Sequence, residues 1–150
     1  MPITVQDTYL TDYAQGFPGM LADGNTQSRP TGQVADAAGI QFGRATFGTG
    51  TGKQITATPG GKFKGITIAD VGIVGGLSGA VDTYHQNASA SLLDMGNIWV
   101  AVTGAVTKDA AVYVTAAGAF TATSTGNTAI PATFLDAATD TVARIRVVQQ

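Results

Sequence analysis

Two features of this chain have residue types that could carry chemistry: the tract Gly48-Thr49-Gly50-Thr51-Gly52-Lys53 and the single histidine, His85. A phosphate-binding loop needs the spacing G-x-x-x-x-G-K-[ST], so that backbone N–H groups wrap the phosphates and a hydroxyl reaches Mg2+. Counting back from Gly52-Lys53, the first glycine position holds Phe47, and Gln54 stands where the hydroxyl belongs. The dinucleotide fingerprint also fails, since its third glycine falls on Lys53. The tract reads instead as a hairpin or surface loop.

His85 lies in Asp82-Thr83-Tyr84-His85-Gln86-Asn87, and the chain has no cysteine. Zinc would need aspartate partners, and no H-x-x-H or H-E-x-x-H spacing exists. A Ser-His-Asp set can be composed from Ser78, His85 and Asp82, but no G-x-S-x-G elbow accompanies it. Glutamate is absent, so paired carboxylates for glycoside hydrolysis would have to be two of the ten aspartates. Each of these sits beside turn residues or at strand ends, where Asp favours Asx-turns. Asp136 and Asp140 are the pair to consider for calcium, without the EF-hand spacing. The expectation is a protein that is not an enzyme and that holds no cofactor and no metal.

The elements around these residues read as β. Charged residues make up 12% of the 150 residues, against roughly 25% in an average domain. Solvent-facing helices take Glu, Lys and Arg on their polar face, and this chain lacks them. Thr and Val fit a pleated surface, and 20 glycines supply turns. From residue 39, short runs alternate with turn residues: 40–47, 55–58, 63–74, 97–106, 111–120 and the C-terminal Val-Ala-Arg-Ile-Arg-Val-Val-Gln. Ile98, Val100 and Val102 share one face, as do Val112 and Val114. Ile145 and Val147 point inward with Arg144 and Arg146 outward. Such alternation predicts strands with one buried face, hence antiparallel pairing. The only stretch that reads as a candidate short helix is 82–95.

Residues 1–38 differ, with Pro2, Pro18 and Pro30, interleaved Gly and isolated bulky apolar residues, and no sustained period. They read as an extended arm or irregular segment preceding a β domain over 39–150. Its aromatics imply that the arm lies against something, its own body or a neighbour. Trp99, opposite in parity to Ile98 and Val100, reads as packed under a loop or between sheets. The sharper alternative is an aromatic anchor in a subunit interface. A surface so poor in charge also points to buried contacts. Net charge is −2 with no basic run, so direct nucleic-acid binding is not expected. The N-terminus has no signal-peptide pattern, and no apolar run approaches the ~20 residues that span a bilayer, so synthesis in a cytoplasm and no membrane partner are expected.

Several stretches in order resemble the capsid cement (decoration) proteins of tailed bacteriophages. These are Gly16-Phe17-Pro18-Gly19-Met20-Leu21-Ala22-Asp23-Gly24, the Phe42-Gly43-Arg44 core of 40–48, residues 60–70, the run 96–134 containing the Lys108–Phe120 hairpin, and the closing 143–147. The resemblance covers about residues 16–148; the 48–53 tract and the 75–96 loop have no counterpart in it. It implies an all-β fold, a compact antiparallel β-sandwich or barrel, jelly-roll-like, with an extended N-terminal arm. It also implies a virion protein on the outer surface of the capsid, binding the major capsid protein, bridging neighbouring capsomers and associating with itself as a dimer or trimer. From exposure logic, Tyr9, Tyr13, Phe17, Met20 and Leu21 are the candidate capsid contacts. Two rivals stand beside this reading. One is a head-fibre or other virion surface module with a host-surface or carbohydrate target, for which Trp99, Tyr84 and Tyr113 would have to converge. The other is a small β-barrel enzyme working through His85 and an aspartate.

Overall fold

The computed structural model describes residues 15–72 and 81–148. The first half of the chain supplies β1 (Thr31–Val34), β2 (Ile40–Gln41), β3 (Ala45–Gly48), β4 (Gln54–Thr56), β5 (Phe63–Thr67), β6 (Thr83–Tyr84) and β7 (Ser89–Leu93). The second half supplies β8 (Gly96–Ala101), β9 (Ala105–Val106), β10 (Ala111–Val114), β11 (Phe120–Thr121), β12 (Thr128–Phe134), β13 (Ala138–Thr139) and β14 (Val142–Val147). Among the described residues there is no helix, so none is long and apolar enough to cross a membrane. The all-β expectation is met.

Five strands close into a small barrel in the order β1-β4-β3-β5-β7. Closure leaves this half of the molecule without an open edge of its own. Most of its ladders are antiparallel, but β1 and β4 run parallel, with Gln33 opposite Gln54. β1 comes from the 1–38 stretch that reads as irregular from sequence, and its burial alternates strictly, with Gly32 and Val34 inside. The remaining large sheet has the order β11-β10-β12-β14-β8. A parallel bridge from Val102, just past β8, to Phe120 of β11 brings its two outer strands together.

Two apolar clusters follow from this layout. Val34, Ile40, Phe42, Ile55, Tyr84, Ala90 and Leu92 fill the barrel. The larger cluster joins Ala45, Phe47, Ile66, Ile68 and Leu93 of the barrel to Ile98, Val100, Phe120, Phe134, Ile145 and their neighbours in the second sheet. Leu92 and Leu93 are both fully buried yet belong to different clusters, because successive strand residues point to opposite faces. Ile98, Val100 and Val102 are buried together as the alternation predicts, and so are Val112 with Val114 and Ile145 with Val147.

Two readings of secondary structure need correction. The candidate helix over 82–95 is β6, a turn and β7. Asn87 takes a left-handed φ of 66° in that turn, and buried Ala90 and Leu92 then alternate with exposed Ser89 and half-exposed Ser91, which is a period of two. β12 was not among the expected strands, and it is central, between β10 and β14. Pro131 argues against a central strand because it cannot donate to a ladder. The sheet tolerates it through a register shift: Ala111 faces Thr133 but Tyr113 faces Ala129, so the proline falls inside a bulge.

Candidate interaction surface

Residues 16–22 lie along the free edge of β8. Gly19 N donates to Trp99 O at 2.9 Å, Trp99 N to Met20 O at 2.9 Å, and Ala22 N to Asn97 O at 3.0 Å. Leu21 bridges Ile98 in antiparallel register and packs, half-buried, on the main core. The segment thus adds a partial strand to the sheet and satisfies backbone groups that an edge would leave open.

The Phe42-Gly43-Arg44 turn forms the floor beneath this segment. Phe42 packs edge-on against Tyr84, with ring centroids 5.2 Å apart. Gly43 has φ 69°, and a Cβ there would come within 2.6 Å of Gly19 N and 2.7 Å of Pro18 Cβ. Only glycine permits two backbones to approach this closely in that conformation. Gly19 in turn accepts a 2.8 Å bond from Ala69 N. Arg44 ties the barrel to the second sheet by donating from Nη1 to Ala117 O at 2.9 Å and from Nη2 to Gln41 Oε1 at 3.1 Å.

Polar contacts hold the other side. Trp99 is half-buried, with Gly16 against its indole and the Arg144 guanidinium 5.8 Å from its ring centroid. Arg144 donates to both oxygens of Asp136, Nε to Oδ2 at 2.8 Å and Nη2 to Oδ1 at 2.7 Å. These hydrogen bonds hold the Asp136 carboxyl below its ordinary pKa and push the Arg144 guanidinium above its own. Asn97, buried, donates to Asp23 Oδ2 at 2.5 Å and so pins the chain just after the bridge.

Phe17 and Met20 turn away from this seat and remain 54% and 40% exposed. Phe17 and Pro18 line one wall of a recess of about 440 Å3, which also involves Phe42, Val81, Ala101 and Phe120. Val81 and Val71 are likewise exposed. Of the expected contact residues, Phe17, Met20 and Leu21 therefore share one segment, while Tyr9 and Tyr13 lie outside the described residues. The floor and the Trp99 packing were the parts that sequence reasoning did not assemble. The order of Gly16, Gly19 and Gly43 around bulky neighbours was the available signal.

The chemical candidates do not converge. Among the described residues no three His, Cys, Asp or Glu side chains cluster to hold a metal. Asp136 gives both oxygens to Arg144 and Asp140 accepts from Gly104 N at 2.7 Å, so they do not form a calcium pair. The 48–53 tract is the loop of the β3–β4 hairpin, with Gln54 N donating to Thr51 O. His85 sits half-buried in the turn after β6, and Ser78 lies outside the described residues. Tyr84 is buried, its hydroxyl donating to Ile68 O at 2.7 Å, and cannot join Trp99 and Tyr113 in a surface patch.

The sequence matches, over residues 5–148, the family described as structural cement protein (E217 gp24/Pam3 gp6). The chain belongs to the phage structural cement protein family. A chain from the capsid of Myoviridae Phage XM1 superposes with a TM-score of 0.70, covering 96% of this chain and 97% of that one at 20% identity. That likeness shows a shared fold. No curated protein matches the chain. This cement protein is accordingly a structural protein of the virion, associated with the capsid. The Phe42-Gly43-Arg44 turn that suggested the family has a physical role in it, as the surface on which residues 16–20 are laid.

Proposed function

We propose that this cement protein binds the major capsid protein from the outer surface of the head and bridges neighbouring capsomers, without catalysis. The observation that carries the reading is the seat of residues 16–22. A main-chain ladder fixes the segment to β8 while two large apolar side chains, Phe17 and Met20, face solvent. Large exposed apolar groups on a fixed backbone suit an interface, since no backbone freedom is left to lose on burial and the side chains exclude water when covered. In this proposal the part of residues 1–38 that precedes β1 acts as the adherent arm, while β1 itself belongs to the barrel of the body. Tyr9 and Tyr13 extend the contact, and Leu21 anchors the segment to the core. Self-association as a dimer or trimer would present several such arms at once, and avidity would follow from tethering. The closed barrel and the second sheet, joined by one core, give the stiffness that holding capsomers together requires.

Co-sedimentation with expanded, empty capsids tests this. Replacing Phe17 and Met20 together by serine removes side chains that are 54% and 40% exposed and outside the buried core, so the variant is expected to stay folded, with at most a modest loss of stability, yet lose capsid binding by tenfold or more. Full binding by a folded double variant would overturn the reading.

A further inference from the structure

Residues 37–69 contain four of the chain's eight cationic side chains and none of its ten carboxylates. They carry a net charge of +4, against −6 for the remainder of the chain. Arg44 is committed to the Ala117 carbonyl and Gln41. The other three, Lys53, Lys62 and Lys64, are all exposed, and none is in an ion pair among the described residues. The fold places all three at one end of the barrel strands, and Lys62 and Lys64, though not Lys53, line a notch there. Lys53 closes the β3–β4 loop, Lys62 leads into β5, and Lys64 lies in it.

The two loops are packed tightly together. Gly48 N donates to Lys62 O at 2.9 Å, and a Cβ at Gly61 would fall 2.0 Å from Gly48 O. The Lys64 stem crosses Gly48, where a Cβ would meet its Cε at 2.9 Å. Between the loops lies an open notch of about 480 Å3, walled by the backbones of Gly48, Gly50, Gly60 and Gly61 and by Lys62 and Lys64. Asp36, just past β1, lies at the far end of β4 from the β3–β4 loop, where Thr56 Oγ1 donates to it at 2.6 Å and Ala57 N at 2.8 Å. The rim is therefore a small cationic site on a net acidic protein, and its lysines take part in no ion pair among the described residues.

We infer that this lysine-rimmed notch is a second docking point that receives a carboxylate-bearing loop of a partner protein. On the reading proposed above, that partner is a capsid subunit. A duplex nucleic acid fits less well. Three ammonium groups neutralise few phosphates, no aromatic side chain lines the notch for stacking, and the −6 remainder repels a long polyanion. A short acidic loop meets the local cations and ends before that field matters, because screening at physiological salt acts within about 8 Å. The notch shares no residue with the arm seat, so it would add an independent, salt-sensitive contact to the apolar one.

The test is an amide-resolved NMR titration of the full chain with a poly-aspartate peptide of roughly ten residues. Shifts are expected at 48–53 and 60–64 in low salt, to vanish near ~0.5 M NaCl, and to be absent from the Lys53→Gln/Lys62→Gln/Lys64→Gln variant. That variant should melt like the wild type, because the three side chains are exposed. Shifts elsewhere, or none, overturn the inference. So does inorganic phosphate producing the same shifts at equal concentration, or a duplex oligonucleotide binding more tightly than the peptide. On capsids, the triple variant is expected to bind roughly three- to a hundredfold more weakly, from about 0.2–1 kcal/mol per exposed pair. Wild-type protein that fails to sediment with capsids would refute the cement reading, and the peptide titration would still decide the notch.

Discussion

Gly16→Ala should detach or distort the arm. A Cβ at Gly16 would stand 2.4 Å from Cδ1 and 2.6 Å from Cγ and Nε1 of Trp99. Carbon atoms in contact ordinarily sit about 3.5–4.0 Å apart, so a gap of about 1 Å must open. The indole has little room to retreat, with the Arg144 guanidinium beside it and Asp136 holding that guanidinium. Overpacking of this kind costs about 1–3 kcal/mol. The alternative relaxation lifts residues 16–22 from β8 and gives up three main-chain hydrogen bonds. At ~0.5–1.5 kcal/mol each, detachment comes to about 1.5–4.5 kcal/mol. The cheaper, overpacked route therefore sets the cost at about 1–3 kcal/mol, a fall in Tm of roughly 2–12 °C for a chain of this length. Trp99 is the only tryptophan, so fluorescence reads this site alone. Gly16→Ala should shift its emission to the red, and urea melts should show the stability loss. Gly24→Ala is the control, since a Cβ there meets nothing within 4 Å. An unchanged emission maximum with stability within ~0.5 kcal/mol of wild type would refute the packing of Gly16 on the indole.

Asp136→Asn should cost about 0.5–1 kcal/mol near neutral pH, a figure held low because the Arg144 side chain is 43% exposed and solvent screens the pair. The folded carboxyl titrates below its ordinary value of 3.8, so its contribution is present above that value and is lost as pH falls through the lower folded one. The gap between variant and wild type should therefore close on acidification in urea melts; a gap independent of pH would contradict the assignment. Tyr84→Phe keeps the ring contact with Phe42 but leaves the buried Ile68 carbonyl without its 2.7 Å donor, which should cost about 1–2 kcal/mol. An unchanged denaturation midpoint would show that another donor replaces the hydroxyl.

The legible parts of the fold were those in which neighbours along the chain carry the information. The alternation of Ile98, Val100 and Val102, and of Ile145 and Val147, identified two strands and their inward faces correctly. Residues 82–95 misled because β6 and β7 are short and their turn at Asn87 breaks the alternation before it becomes a pattern. β12 was hidden by Pro131, which is compatible with a central position only through a bulge that depends on its partner β10. Within the interaction surface, Phe17 and Met20 could be nominated from the sequence as bulky residues in a Gly/Pro-rich segment. Their exposure, and the burial of Leu21 beside them, depend on which edge the segment meets. The lysine rim was also invisible along the chain, where 53, 62 and 64 look like scattered charges.

By itself, the sequence determined that this protein is built from strands, that its surface is poor in charge, and that it offers no spacing suited to catalysis. Those properties follow from residue types and from periods of two, which act locally. Tertiary structure alone decided that β1 pairs in parallel with β4, that residues 16–22 complete the edge of β8 over a floor made by Gly43, and that three lysines lie at one end of the barrel strands. Such features depend on contacts between residues far apart in sequence. Their free energy comes from close packing, shared hydrogen bonds and charge proximity, which exist only once the barrel and the second sheet have closed on their common core.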